Sequence, residues 1–461
     1  MPGLVRKASL FSVILLMLLL TVQPVSAQDT SGTQTQQPDA TGTQAQQPDA
    51  SGTQAPQPDA NGTQAQQPDA NGAQTQQPEV PSQWDAALQR VPDADKALVA
   101  SALDLAGANA SAISNVLLSV PDAWLPGAVF LTINMPIEDL TVVSEEVFLD
   151  GLRDAYQARA EFPWAGQVSE SDFLRYVLPM RVSQEPLEDW RGFFMEQLRT
   201  RVASLQTLDE AALEVNRWCG ERVGFQQTQR RDQGPFETLS SGYGRCEEMM
   251  IVYIDACRSV GIPARQAWTP YWGFQDNNHA WAEVLGNDGN WHYVGACEPS
   301  DRLDDAWFNQ AVKRANLVFS VPFGLPESGT EEVYKLQDIP GARYAILDST
   351  SFYRPSTVLT VNVVDLQGNP LPETSVYLSV FNFGALRPIA KGVTNEEGKW
   401  TITVGPGGYF VSAGDEIRGA CIPLDVAEPG ELEMSMTIGL GAELPPGTFW
   451  LRYPVPEEAE Q

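Results

Sequence analysis

The sequence predicts an α+β protein: a helical layer first, a mixed helix-and-strand core next, and a β-sandwich last. Three observations lead there. From about Trp84 to Gln226, apolar residues recur at three- and four-residue spacing, as in Asp93 to Leu105 and Ser144 to Ala158. From about Gln227 to Leu325, one apolar helix face is followed by alternating strands. From about Ser356, short β-rich runs alternate with Gly, Pro and Asn turns.

Ahead of these, residues 1–27 read as a secretory signal. Arg6 and Lys7 supply the positive start, Leu10 to Val22 the apolar stretch, and Val25-Ser26-Ala27 a small-residue cleavage site. The apolar run is short for a membrane span, which takes about 20 residues. The protein is therefore expected to be secreted, periplasmic or at the cell surface, with membrane contact only through the signal. Residues 28–82 hold a ten-residue repeat, SGTQTQQPDA, TGTQAQQPDA, SGTQAPQPDA, NGTQAQQPDA and NGAQTQQPEV. Each copy has almost nothing apolar to bury, so a disordered acidic linker is expected rather than a solenoid.

Net charge is −30, from 29 Lys+Arg against 59 Asp+Glu. Nucleic acid is not an expected partner, because phosphate-backbone binding needs a basic footprint. The domain reading that follows is 83–226 helical, 227–350 core and 356–454 β-sandwich. In the helical part, Ser169-Glu-Ser-Asp172 before Phe173 marks a helix start.

In the core, Gly242-Tyr-Gly-Arg-Cys246 lets the backbone turn sharply into a helix. Cys246 then sits at a helix N-terminus, where free N–H groups and the dipole favour a thiolate. Cys246, Met249, Met250, Tyr253, Cys257 and Val260 share one helix face, which Gly261 and Pro263 end. His279 to Leu285 alternates as a strand, Gly286 to Asn290 turns, and Trp291 to Ala296 returns as a second strand. His279 is one of two histidines, and on the Trp281 side of its strand it is expected to face the Cys246 helix as a base. His292 reads as structural. Cys219, Cys257, Cys297 and Cys421 lack the setting of Cys246; an odd total of five leaves at least one thiol free if the others pair, and the sequence does not show which pair. No HExxH, P-loop, EF-hand loop or CxxC is present, so no metal or cofactor is expected.

Residues 242–298 resemble the transglutaminase-like superfamily. The resemblance rests on Gly242-x-Gly244-x-Cys246, on Arg258-x-x-Gly261-Ile-Pro-Ala-Arg265, and on His279-Ala-Trp-Ala-Glu-Val284 followed by Gly289-Asn-Trp291. It implies a papain-like core acting on amide bonds, with Cys246 as nucleophile and His279 as base. The family usually places an Asp about four residues after the Trp aligned with Trp291, and this chain has Gly295 there. Glu298 is the nearest carboxylate, but on a regular strand it points to the opposite face, so a bulge or the strand end must intervene. Asp288 and Asp301 are the weaker candidates. The backbone N–H of Cys246, or Trp218, is the expected oxyanion donor. Trp268, Tyr271, Trp272 and Phe274 either wall a substrate groove or pack as core. Residues 358–412 are similar to carboxypeptidase-regulatory-like or transthyretin-like sandwiches, which are accessory modules.

The function expected is an exported cysteine enzyme that acts on peptide or protein amides through a thioester, as peptidase, deamidase or transamidase. A surface or envelope partner is compatible with it. One alternative is a binding or scaffold protein that kept the fold and lost activity, as the missing Asp suggests. The other is an amidase of the peptide N-glycanase kind.

Overall fold

The computed structural model describes residues 84–439, apart from 229, 230, 328, 330, 416 and 417. The signal at 1–27, the repeat linker at 28–82 and the end of the expected sandwich lie outside these residues. The described chain is α+β, helical first and rich in sheet later.

Helical spacing in the first part gives α1 (Asp85–Arg90), α2 (Lys96–Ala106), α3 (Ala110–Ser119), α4 (Leu125–Asn134) and α5 (Glu145–Glu161). Ser144 caps α5, its hydroxyl accepting from Val147 N at 3.1 Å. Leu103, Ile113, Leu117, Leu131, Phe148 and Leu152 are fully buried in one cluster. The helical run Lys96–Ser119 is long and apolar enough to cross a membrane by length and composition. Gly107, at φ 56°, breaks it between α2 and α3, and its apolar residues fill this cluster. It is a core element here.

Next come α6 (Arg191–Val202), α7 (Leu208–Gly220), the short strand β1 (Gly224–Phe225), α8 (Pro235–Ser241), the strand β2 (Tyr243–Gly244) and α9 (Cys246–Ser259). β1 pairs in parallel with β2. The sequence gives α9 one apolar face, but the helix is buried on every side from Glu248 to Ser259. It lies between α6 and α7 and the strands β3 (Ala264–Thr269) and β4 (His279–Leu285). Burying a residue such as Ile251 is worth about 2 kcal/mol. Cutting it to Ala in so closed a site costs about 2–5 kcal/mol.

The sheet continues with β5 (Trp291–Val294), β6 (Phe319–Ser320), β7 (Val333–Ile339) and β8 (Ala342–Asp348), in the order β5-β4-β3-β6-β8-β7. The C-terminal part adds β9 (Thr357–Val364), β10 (Ser375–Asn382), β11 (Ala385–Val393), β12 (Lys399–Val404), β13 (Gly407–Gly414), β14 (Gly419–Val426) and β15 (Gly430–Thr437). They form a four-stranded sheet, β11-β10-β13-β14, and a three-stranded sheet, β12-β9-β15, in agreement with a small sandwich.

The sandwich is bonded to the core rather than loosely tethered. Asn382 Nδ2 donates to the carbonyls of Trp272 (2.8 Å), Gln275 (2.8 Å) and Asn277 (3.2 Å), and Phe383 N donates to Asp276 Oδ1 at 2.6 Å. The loop so clamped leads directly into His279.

Candidate active site

Cys246 begins α9 because of what precedes it. Gly242 ends α8 at φ 77°, a left-handed conformation that favours glycine. At Gly244 a Cβ would stand 2.9 Å from Glu248 Cβ, so only glycine lets β2 pass so close to the helix. Glu248, fully buried, accepts the backbone N–H of Arg245 at 2.7 Å and the Thr228 hydroxyl at 2.7 Å. Its carboxylate at the positive end of α9 fixes the turn that presents the thiol.

The thiol is partly buried and is not a ready thiolate. Cys246 Sγ lies 3.2 Å from Glu247 Oε2, so the S–H donates to that carboxylate. Burial and the Glu247 charge push the thiol pKa well up; backbone N–H groups of Ala280 and Glu247, donated to the sulfur, act against this. The helix N-terminus thus does not prevail over burial in this conformation.

Ala280 follows His279 and packs in the cluster that α9 fills, and its N–H favours the thiolate. That N–H is available because β5 pairs with β4 only from Ala282 to Leu285. Strand alternation sends the two faces of β4 apart. Ala280, Ala282 and Val284 pack with α9, whereas the His279 ring packs against Trp281 (5.8 Å), Trp307 (5.0 Å) and Phe308 (4.7 Å). The expectation that the Trp281 side faces the Cys246 helix is corrected: the alanine side does, and the His279 ring lies among the aromatic residues of the other side.

His279 is 8% exposed, and burial lowers its pKa from 6.5 to about 4, which keeps the imidazole neutral. Its Nε2 is buried with no hydrogen-bond partner. Further along that face, Glu283 is engaged by Arg265 (2.6 Å) and the Tyr353 hydroxyl (2.5 Å), and Tyr353 in turn accepts the Trp281 indole N–H at 2.8 Å.

The chain between Gly295 and Glu298 turns back, with Glu298 N donating to Gly295 O at 3.0 Å and Cys297 at φ 58°. This turn is the irregularity that Glu298 needed. A Cβ on Gly295 would stand 3.0 Å from Glu298 Oε2, so the Glu298 carboxylate fills the space beside Gly295. Asn216 of α7, fully buried, holds the turn through bonds to the carbonyls of Gly295 (2.9 Å) and Glu298 (3.3 Å). The carboxylate does not bond His279. Its Oε2 accepts the Trp307 indole N–H at 2.7 Å, and burial raises its pKa against that bond.

The other candidates lie elsewhere. Asp288 bonds His292 Nε2 at 3.0 Å, and Asp304 bonds His292 Nδ1 at 2.6 Å. Asp301 is exposed. Burial opposes the rise in the His292 pKa, yet these two carboxylates raise it. Tyr271, Trp272 and Phe274 are buried packing residues at 2%, 1% and 5% exposure, and Trp268 packs on Phe319. Trp218 is buried against Phe194, with the Arg222 guanidinium 4.0 Å over its ring. All five cysteines are free thiols, and burial with the neighbouring Cys297 pushes the Cys219 thiol up. Among the described residues, no group of three or more His, Cys, Asp or Glu is placed to hold a metal ion.

Sequence reasoning missed Glu247, Glu248, Asn216 and Trp307. The Glu three residues after the helix-capping Arg245 was a usable signal for Glu248. Asn216 and Trp307 act across the fold and left none.

Residues 196–296 match the Transglutaminase-like superfamily. No curated protein gives a significant match. Among solved structures, the chain is similar to a protein of Cytophaga hutchinsonii described as a candidate cysteine protease, at 16% identity and TM-score 0.24, over 41% of this chain and 68% of that one. It is also similar to the Bacillus anthracis TIE protein, at 11% identity and TM-score 0.17, over 39% of this chain and 30% of that one. An (S)-allantoin synthase matches at 8% identity and TM-score 0.15, over 74% of this chain and 96% of that one. All three TM-scores fall below 0.5.

Proposed function

From the premise that residues 196–296 are a transglutaminase-like core, of a superfamily whose members are usually cysteine-dependent enzymes, we propose that this protein is an exported cysteine enzyme acting on peptide or protein amides. The observation that carries the reading is that Cys246 opens α9 in the same packed cluster as Ala280, the residue that follows the proposed base. Substrate entry displaces Glu247 from the thiol. His279, neutral at pH 7, accepts the thiol proton as sulfur attacks the amide carbonyl. The first N–H groups of α9 stabilise the oxyanion. The imidazolium then protonates the departing amine, leaving a thioester. Water yields an acid, or an amine yields a new amide, and the imidazole relays the proton again.

The second reading, a fold that binds but scarcely turns over, is favoured by one observation: His279 Nε2 has no acid on it. Casein incubated with the full chain separates the two. Ammonia release, amine incorporation or peptide cleavage that disappears in both Cys246→Ser and His279→Ala supports the enzyme. Absence of all three in wild-type protein favours the binding reading, and activity surviving Cys246→Ser refutes the nucleophile.

A further inference from the structure

The end of α7 presses on the turn that carries Glu298. Asn216, Cys219 and Gly220 stand three and four residues apart, so they share one face of that helix. Asn216 Nδ2 bonds the carbonyls of Gly295 (2.9 Å) and Glu298 (3.3 Å), which fixes what this face meets. At Gly220 a Cβ would stand 2.9 Å from the Cys297 carbonyl oxygen and 2.7 Å from Pro299 Cδ, so only glycine lets the helix end come so near. Contacts on either side of Cys219 thus bring it to Cys297, and both are buried in the cluster that α9 fills. A disulfide closes only between Cα atoms within about 7 Å, and these contacts lay the two backbones side by side.

The other thiols are placed less well. The Cys297 thiol donates to Met249 O at 3.4 Å, near the start of α9. Cys257 lies eight residues further along that helix, about 12 Å at 1.5 Å per residue. Cys421 is exposed on β14, in the sandwich. Cys246 gives its S–H to Glu247. Thiols donate weakly, so Cys297 loses little when its bond to Met249 breaks. Burial and the neighbouring Cys297 hold the Cys219 thiol up, so in the folded chain it seldom ionises. A bond between the two therefore forms as the chain folds, before the core shuts.

We propose that Cys219 and Cys297 are joined by a disulfide in the exported protein, so that α7 and the Glu298 turn are tied covalently. The electrons leave by exchange with a disulfide oxidant, of which oxidised glutathione is the simplest. One cysteine thiolate attacks the oxidant, forms a mixed disulfide and releases a thiolate. The second cysteine thiolate then attacks the mixed disulfide and releases the other half of the oxidant. The two thiols give up two protons and two electrons, and the oxidant's S–S bond becomes two thiols. Cys246 is left free for the chemistry proposed for it. The link rests on the export reading for its oxidising compartment, and on nothing in the amide reading.

Full chain refolded from urea in a glutathione redox buffer tests the link without export, so a failed link and a failed export are told apart. Peptide mass spectrometry under non-reducing conditions should find Cys219 and Cys297 in one linked pair, the chain lighter by two hydrogen atoms, and Cys246 still a free thiol. At one urea concentration the ratio of unfolded to folded chain should be at least about a hundredfold lower for oxidised than for reduced protein, since the bond closes a long loop. Cys219→Ala, which keeps a good helix former in α7, should abolish both effects. Folded, reduced chain incubated with oxidised glutathione should reach the same map more slowly, through local opening. Five free thiols in both preparations, or a pair joining Cys219 to Cys257 or Cys246 to Cys297, overturns the proposal.

Discussion

The Glu298 carboxylate accepts the Trp307 indole N–H at 2.7 Å, and the same indole ring lies 5.0 Å from His279. The carboxylate proposed to replace the one missing at residue 295 is therefore one aromatic ring away from the proposed base. Asn216 fixes the turn beneath it, so the acid is held in place while its partner is not settled. Trp307 is 64% exposed, and exposed side chains change rotamer within nanoseconds. Turning that one ring outward would free Glu298 and open a route to the unpartnered His279 Nε2.

Trp307→Phe keeps the ring and removes the donor. The expected outcome is a His279 pKa above the wild-type value of about 4, since an adjacent carboxylate favours the imidazolium. With only two histidines in the chain, proton NMR follows each ring directly. Adding Glu298→Gln should cancel the rise, and Glu298→Gln alone should lower turnover at least tenfold, about 1.4 kcal/mol of barrier. A Trp307→Phe protein whose His279 titrates like wild type shows that Glu298 does not reach it.

Glu247→Gln tests the resting thiol. Burial, then Glu247, holds the Cys246 thiol up. Its iodoacetamide reaction should therefore have a midpoint above the ordinary value of about 8.5. Glu247→Gln should move that midpoint down, read at Cys246 by peptide mass spectrometry. An unmoved midpoint would mean that the 3.2 Å contact does not govern the thiol.

Much of this architecture was legible because it is local. Two glycines and a helical apolar period place Cys246, and period-two alternation places His279 on a strand. What escaped is non-local. β7 has little regular alternation because most of its residues stay exposed or half-buried, and β11 carries Pro388, which weakens its strand signal. Glu247 and Glu248 are chemically alike in sequence, yet one binds the thiol and the other a buried backbone N–H. Which face of β4 meets α9 depends on what packs on the other face, here Trp281 and Phe308, and period alone does not choose.

Asn382→Ala probes the joint between sandwich and core. The amide serves three carbonyls of the loop before His279 and is fully buried. Stability by urea unfolding should fall by about 1–3 kcal/mol, because the buried Trp272 carbonyl loses its donor. Truncation near Ser356 should cost more, since it removes the whole docking surface. A truncated chain with wild-type stability would show instead that the sandwich is an independent module.

The last prediction uses the opposite shifts of the two histidines. Burial lowers the folded pKa of His279 from 6.5 to about 4, so between these values the unfolded chain binds more protons and stability rises with pH. The contribution is complete above about 6.5, is lost as pH falls toward 4, and is on the order of 3 kcal/mol. His292 has the reverse sign, because Asp304 and Asp288 raise its pKa against burial. Its contribution is complete below the unfolded value and is lost as pH rises through the folded one. Many carboxylates titrate in the same acid range, so the measurement is a difference between variants. Urea unfolding of wild type minus His279→Phe, whose ring suits the aromatic cluster, should give a stability difference that shrinks as pH falls from 6.5 to 4. Wild type minus His292→Asn should shrink as pH rises above 6.5. A flat His279 difference would mean that the imidazole takes up its proton in the folded state near its ordinary pKa, and that burial does not shift the base proposed for Cys246.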